Sequence, residues 1–194
     1  MWEFHQPIIP NEPYAWTRDI FTADELQLII NIGKSLPMVD GGVDNKDIER
    51  PAARRSKVSW IYPGVDTDFI FLRLEEAIKA VNYNFYNYDL TKMENLQFSE
   101  YDETYEGMYR NHTDDGFDTT YYRKLSFSLQ LSSPDDYAGG ELLVYRFKLD
   151  NPSVVHKEKG LLAVFPSSTI HEVTPVTAGT RYSLVGWVHG PRFR

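Results

Sequence analysis

The sequence contains no cysteine. Disulfide bridges, thiolate metal sites and cysteine nucleophiles are therefore excluded. It also has no long uncharged apolar run, so no membrane-spanning helix is expected. The opening residues, Met1-Trp2-Glu3-Phe4-His5-Gln6-Pro7, lack the basic segment and apolar core of a secretory leader, which makes the cytoplasm the expected location. Basic charge is scarce as well: 20 Lys and Arg stand against 28 Asp and Glu, a formal charge of -8 with a sequence pI near 5.1. Duplex nucleic acid and anionic membranes both require a basic footprint, and neither is an expected partner. No internal repeat, low-complexity tract or interdomain linker is visible.

What is present suits a folded domain. The chain has 194 residues, of which 42% are hydrophobic and 14% aromatic. That length can bury a sizeable core, and one domain spanning 1–194 is the expectation. A first helix is signalled by Phe21-Thr22-Ala23-Asp24-Glu25-Leu26, where Thr22 and Glu25 match a capping box and Phe21 with Leu26 a hydrophobic staple. Leu26, Ile29 and Ile30 continue it, and Gly33 and Pro37 are expected to end it. Residues 39–57 lose periodicity and read as a surface loop. Asp66-Thr67-Asp68 can cap a second helix through Phe69, Leu72, Ala77, Ile78, Val81 and Phe85, and Asn82 to Tyr88 reads as its end.

From Leu96 the hydrophobic period changes from helical to two. In Leu125-Ser126-Phe127-Ser128-Leu129-Gln130-Leu131-Ser132 the large apolar residues share one face and small polar residues the other. Further strands are expected at Glu141 to Phe147, Leu161 to Phe165 and Arg181 to Val188, and Gly139-Gly140 reads as a turn needing positive φ. Helices first and short strands afterwards predict an α+β domain with a sandwich or barrel core, helical support over about 1–95 and strands over about 96–190.

Chemistry concentrates at His112-Thr113-Asp114. A histidine and a carboxylate two positions apart on extended backbone point to one side and can reach a single divalent metal. His171 offers a third ligand. Two histidines and one carboxylate on one face of a metal form the facial triad of non-haem Fe(II) oxygenases, and Arg181, ten residues after His171, can hold an anionic cosubstrate. A lone histidine is usually a surface or hydrogen-bonded structural residue, and His5, His156 and His189 are read so. Ser183, Val185 and Trp187 alternate with Arg181, which predicts a mixed polar and apolar pocket with Trp187 packed near the arginine.

The sequence resembles the Fe(II)- and 2-oxoglutarate-dependent dioxygenases, within them the prolyl 4-hydroxylase-like branch that includes the bacterial PKHD-type hydroxylases. The resemblance is carried by His112 and Asp114, by Arg123 to Ser132 with Pro134 to Leu142, and by Phe165 to Trp187, and more loosely by Arg55 to Trp60. It implies a double-stranded β-helix, or jelly roll, with the N-terminal helices packed on its major sheet. It further implies Fe(II) on His112, Asp114 and His171, 2-oxoglutarate on Arg181, dioxygen as oxidant and ascorbate as reductant. Tyr101 and Tyr109 precede His112 where relatives place a tyrosine on 2-oxoglutarate or in the substrate cleft, and both also suit simple packing. Gln130 lies on the polar strand face where some relatives carry an aromatic.

The implied activity is hydroxylation of a C–H bond, with peptidyl proline as the family's usual substrate and a peptide or protein as partner. The loop at 39–57 is then a candidate lid, and Arg54, Arg55, Trp60 and Tyr122 are candidates for a substrate rim. Two alternatives stay open at this level: a hydroxylase of a free amino acid or small metabolite, and a cupin-like binding module without turnover. Relatives of the PKHD type often continue beyond the catalytic domain, whereas this sequence ends at Gly190-Pro191-Arg192-Phe193-Arg194.

Overall fold

The Thr22 capping box forms as expected: Thr22 N donates to Glu25 Oε2 at 2.8 Å, and Glu25 N donates to Thr22 Oγ1 at 3.3 Å. In the computed structural model, which describes residue 8 and residues 11–41, 53–116, 119–146 and 149–191, this cap opens α1 (Ala23–Ser35), with Leu26, Ile29 and Ile30 buried. The helix does not end at Gly33. A Cβ there would stand 2.2 Å from the Phe98 ring, so the glycine permits close helix-to-sheet approach inside the helix rather than terminating it.

The second helix, α2 (Asp68–Val81), lacks the cap expected from Thr67. Thr67 Oγ1 donates instead to the Tyr62 carbonyl at 2.6 Å, and Asp68 Oδ1 accepts from Gly64 N at 2.9 Å. Its buried stripe is Ile70, Leu74, Ile78 and Val81, and Leu72 is exposed. The expected stripe was thus displaced around the helix, because several apolar residues in a row leave the phase ambiguous. Asn82 to Tyr86 adds one π-helical turn, closed by Asn87 in the left-handed region at φ 55°. That turn delivers Tyr86, whose hydroxyl donates to Val164 O at 2.7 Å and accepts from Ala15 N at 2.9 Å.

The strands in chain order begin with β1 (Ala15–Thr17), β2 (Val39–Asp40), β3 (Arg54–Arg55), β4 (Lys57–Ile61), β5 (Lys92–Met93), β6 (Leu96–Asp102) and β7 (Met108–His112). They continue with β8 (Arg123–Gln130), β9 (Tyr137–Gly139), β10 (Leu142–Val144), β11 (Ser153–Val154), β12 (Leu162–Pro166), β13 (His171–Val173) and β14 (Val176–His189). The expected loop at 39–57 therefore contains two short strands and the start of a third, and its residues 42–52 lie outside the described ones. The strand expected over Glu141 to Phe147 is shorter, and that over Arg181 to Val188 is the middle of a longer one.

Two antiparallel sheets result. The larger runs β1-β12-β8-β14-β6-β4-β2, with β5 and β9 also pairing β14, and the smaller runs β11-β10-β13-β7-β3. Both helices pack on the outer face of the larger sheet through Ile29, Ile70, Leu74, Phe98, Phe127 and Leu184. A second apolar cluster, including Tyr14, Leu142, Val144, Phe165 and Val176, fills the space between the sheets at one end. This is the expected jelly roll with helices on its major sheet. Gly139 and Gly140 take φ of 70° and 59°, and a Cβ on Gly139 would meet Pro175 O at 2.1 Å, which requires glycine at that turn.

Candidate active site

Between the sheets, beside Leu142 and Phe165 of the second apolar cluster, lies a cavity of about 490 Å³. Strand pairing builds its centre. β7 and β13 pair so that His112 and His171 are cross-strand neighbours, with a register irregularity after His171, and their ring centroids lie 4.2 Å apart. Asp114 follows β7 and is held by its own N–H, which donates to Ser167 O at 2.9 Å. The outcome brings one ligand atom from each of His112, Asp114 and His171 within 4.8 Å of one another.

The hydrogen bonds around this group settle which atoms face inward. His112 Nδ1 is 2.8 Å from Arg110 O, and His171 Nδ1 is 2.9 Å from Thr169 O. A carbonyl only accepts, so each Nδ1 carries the hydrogen and each Nε2 presents a lone pair in the neutral ring. Those lone pairs face Asp114: His112 Nε2 lies 3.7 Å from Oδ1 and His171 Nε2 lies 3.3 Å from Oδ2. Among the described residues, Asp114 Oδ2 is buried without a hydrogen-bond partner. Two lone pairs converging on a buried carboxylate repel unless a proton or a cation lies among them.

Proton affinities follow from the same geometry. Burial pushes the Asp114 carboxyl up, but the two imidazoles outweigh it and hold it well below the usual carboxylate range. Burial lowers the His112 imidazole to about 4, with help from His171. For His171 burial acts in the same direction, but the Asp114 charge prevails and raises it. A divalent ion placed among the two Nε2 lone pairs and the carboxylate satisfies all three donors, so the residues present fit a nitrogen and oxygen ligated metal.

Arg181 lies on β14 with 1% exposure. Its Nη1 donates to Ser183 Oγ at 3.2 Å and its Nη2 to Gln130 Oε1 at 3.0 Å. The guanidinium sits 5.4 Å from the centre of the Tyr101 ring, because Arg181 and Tyr101 are cross-strand partners. Its Nε is buried and unpartnered among the described residues, leaving unspent donor capacity for an anion.

The expected pocket residues divide. Tyr101, Tyr109, Arg181 and Trp187 line the cavity with the triad. Gln130 does not line it and instead fixes the arginine from behind. Tyr109 stacks on His112 at 3.6 Å, and burial raises its phenol to about 12. Trp187 does not pack on Arg181: the guanidinium over its ring is that of Arg123, at 3.9 Å. Of the expected rim, Arg54 and Trp60 line the cavity, whereas Arg55 bonds to Glu106 and Tyr122 stacks on His189. His156 meets Trp16 edge-on and His189 bonds to Glu94, the structural roles expected of them; His5 lies outside the described residues.

Sequence reasoning missed Glu94. It receives two hydrogen bonds from Arg123, at 2.7 and 2.8 Å, and contacts His189 Nε2 at 2.5 Å. The network joins the connection between β5 and β6, the start of β8 and the end of β14, and nothing local to Glu94 signals it. Arg123 carried a weak signal as a cation opening a serine-alternating strand.

Comparison with known proteins agrees with this geometry. A family model described as the 2OG-Fe(II) oxygenase superfamily matches residues 96–189, the segment holding the triad and Arg181. A PKHD-type hydroxylase from Gloeothece citriformis is 42% identical over 106 residues, covering 50% of this chain and 43% of that protein. The match thus spans less than half the relative's length. A prolyl-4-hydroxylase from Pseudomonas putida superposes with a TM-score of 0.70 at 23% identity, over 93% of this chain and 94% of that one. A prolyl hydroxylase from Trichoplax adhaerens, solved with a peptide fragment of the hypoxia inducible factor oxygen degradation domain, gives 0.75 at 19% identity, over 93% and 84%. At such identities the solved structures establish the fold alone. The jelly roll, the matched segment and the PKHD-type relatives agree, and over residues 96–189 the chain is similar to the 2OG-Fe(II) oxygenase superfamily.

Proposed function

We propose that this chain is an Fe(II)- and 2-oxoglutarate-dependent oxygenase that hydroxylates a C–H bond of a peptide or protein, with peptidyl proline as the substrate residue. The observation that carries the reading is the convergence of two bare Nε2 atoms and one buried carboxylate beside a buried arginine with unspent donors. His112, Asp114 and His171 are the metal ligands, and Arg181 binds the distal carboxylate of 2-oxoglutarate. Iron with its cosubstrate and dioxygen supplies the oxidising chemistry, placing one oxygen atom in the substrate and the other in succinate, with release of CO2. Ascorbate serves as the reductant that keeps the iron ferrous.

The residues around the triad position these parts. The carbonyls of Arg110 and Thr169 fix both imidazoles in the tautomer that offers Nε2 to a metal. Gln130 and Ser183 hold the guanidinium of Arg181 in one orientation, so less rotamer freedom is lost when the carboxylate docks. Tyr101, its ring centre 5.4 Å from the guanidinium, excludes water from that end. A mouth bordered by Trp60, which is 37% exposed, opens the cavity to solvent, and this supports a polymer substrate over a sealed metabolite. The peptide bound by the Trichoplax relative points the same way. Within the expected support at about 1–95, α1 and α2 are the helices that back the larger sheet, while β1, β2 and β4 from the same stretch are strands of that sheet, and 1–194 is read as one domain.

The test is succinate production by the purified protein with Fe(II), ascorbate and air, with and without proline-containing peptides. Peptide-stimulated succinate with a gain of one oxygen on proline is the expected result. Turnover that no peptide stimulates retires the peptide substrate, and iron-loaded protein that forms no succinate retires the oxygenase.

A further inference from the structure

The cavity wall carries three guanidinium groups, those of Arg54, Arg123 and Arg181, beside the carboxylates of Asp114 and Asp115, in a chain of formal charge -8. Two of the cations are committed. Arg123 is neutralised by Glu94 through two hydrogen bonds, and Arg181 is assigned to the cosubstrate's distal carboxylate. Asp114 and the 2-oxo acid end of that cosubstrate balance a divalent metal.

Arg54 is left over. It stands on β3 as the cross-strand partner of Tyr109, and this register lays its guanidinium 4.6 Å from the Tyr109 ring centre while the ring stacks on His112 at 3.6 Å. Its Nε donates to Ser56 Oγ at 2.7 Å, which pins the group in place. Among the described residues, its Nη2 is buried with no hydrogen-bond partner, and Arg54 makes no ion pair with Asp115. A pinned, part-buried guanidinium whose buried Nη2 is idle, in the wall of the cavity, is costly unless a ligand completes it.

We propose that Arg54 binds a carboxylate of the primary substrate, so that the molecule hydroxylated is acidic close to the reacting C–H bond. One stacked ring, that of Tyr109, separates the Arg54 guanidinium from the metal ligand His112. For a peptide this means an aspartate, a glutamate or a terminal carboxylate beside the target residue. Tyr109 is the spacer that sets the distance, and Ser56 is the positioning residue for the guanidinium. The inference rests on the oxygenase reading for its occupant, because the cosubstrate uses up Arg181.

The experiment measures binding, not turnover. Wild-type protein saturated with Fe(II) and 2-oxoglutarate under argon is titrated calorimetrically with proline-containing hexapeptides in which glutamate at each position flanking proline is exchanged for glutamine, and with N-acetylproline against its amide. At least one acidic probe is expected to bind about tenfold more tightly than its neutral counterpart. In Arg54→Gln that preference should fall below about twofold, in Arg54→Lys it should be partly kept, and 2-oxoglutarate should bind all three proteins within about twofold. An equal affinity for acidic and neutral probes at every position, the absence of binding by every acidic probe, or a preference that survives Arg54→Gln would overturn the proposal. Failure of the oxygenase reading registers separately, as wild-type protein that does not bind 2-oxoglutarate in the same cell.

Discussion

The two faces of β8 are equally buried and chemically opposite. Leu125, Phe127 and Leu129 face the helices, Ser126, Ser128 and Gln130 face the space between the sheets, and none of the six is more than 5% exposed. The outer face is satisfied by contact alone. The inner face is satisfied only by named partners: Ser126 Oγ donates to Ser167 Oγ at 3.0 Å, and Gln130 accepts from Arg181. One strand thus separates two duties, with stability on the side that any well-shaped apolar neighbour can serve and function on the side where polar groups are placed by specific partners.

If that division holds, substitutions on the two faces should affect different quantities. The largest effect belongs to the inner side: His171→Ala should abolish iron-dependent succinate formation while leaving the unfolding free energy of metal-free protein, read by urea denaturation, within about 1 kcal/mol of wild type. On the outer side, Leu129→Ala should cost about 3 kcal/mol of stability, read by urea denaturation, with turnover per folded molecule unchanged. A loss of turnover in the folded Leu129 variant would break the comparison.

Glu94 sharpens it, because it serves both duties. Burial raises its carboxyl, but the bonds from Arg123 and His189 outweigh this and hold it below the ordinary 4.5. The unfolded chain therefore takes up this proton first as pH falls, so the stabilisation is complete above 4.5 and is lost as pH drops through the lower, folded value. Glu94→Gln should cost about 2 kcal/mol at pH 7, and urea titrations at successively lower pH should show the gap to wild type closing below the ordinary carboxylate range. A gap independent of pH would mean that the network is not ionic. The smallest effect is expected at Gln130→Leu. Removing the acceptor from Arg181 Nη2 should raise the KM for 2-oxoglutarate about tenfold with a smaller change in kcat.

What could be read from the chain before the structure follows the range of the interactions. The α1 cap needs only Thr22 and Glu25, three residues apart, and the two faces of β8 need only a period of two. His171 and Arg181 were legible because both lie in one continuous stretch that the family pattern covers. Trp187 was placed on the correct face and beside the wrong arginine, since alternation along a strand fixes a face and not the neighbour across it. Gly33 has the composition of a helix stop, and only the Phe98 ring pressing on it reveals a packing role. Arg54 depends on the register of β3 against β7, set across more than fifty residues of chain, and the join of Glu94 to Arg123 and His189 depends on three segments distant in sequence. Such long-range pairings leave no local trace in composition or period.

The central claim is that His112, Asp114 and His171 form one metal site, and the most direct test is calorimetric titration of metal-free protein with Fe(II) under argon. The account predicts one ion per chain in wild type, with binding weakened at least about a hundredfold in Asp114→Ala and the protein still folded. An ion bound with unchanged affinity by Asp114→Ala would place the metal elsewhere and contradict the account.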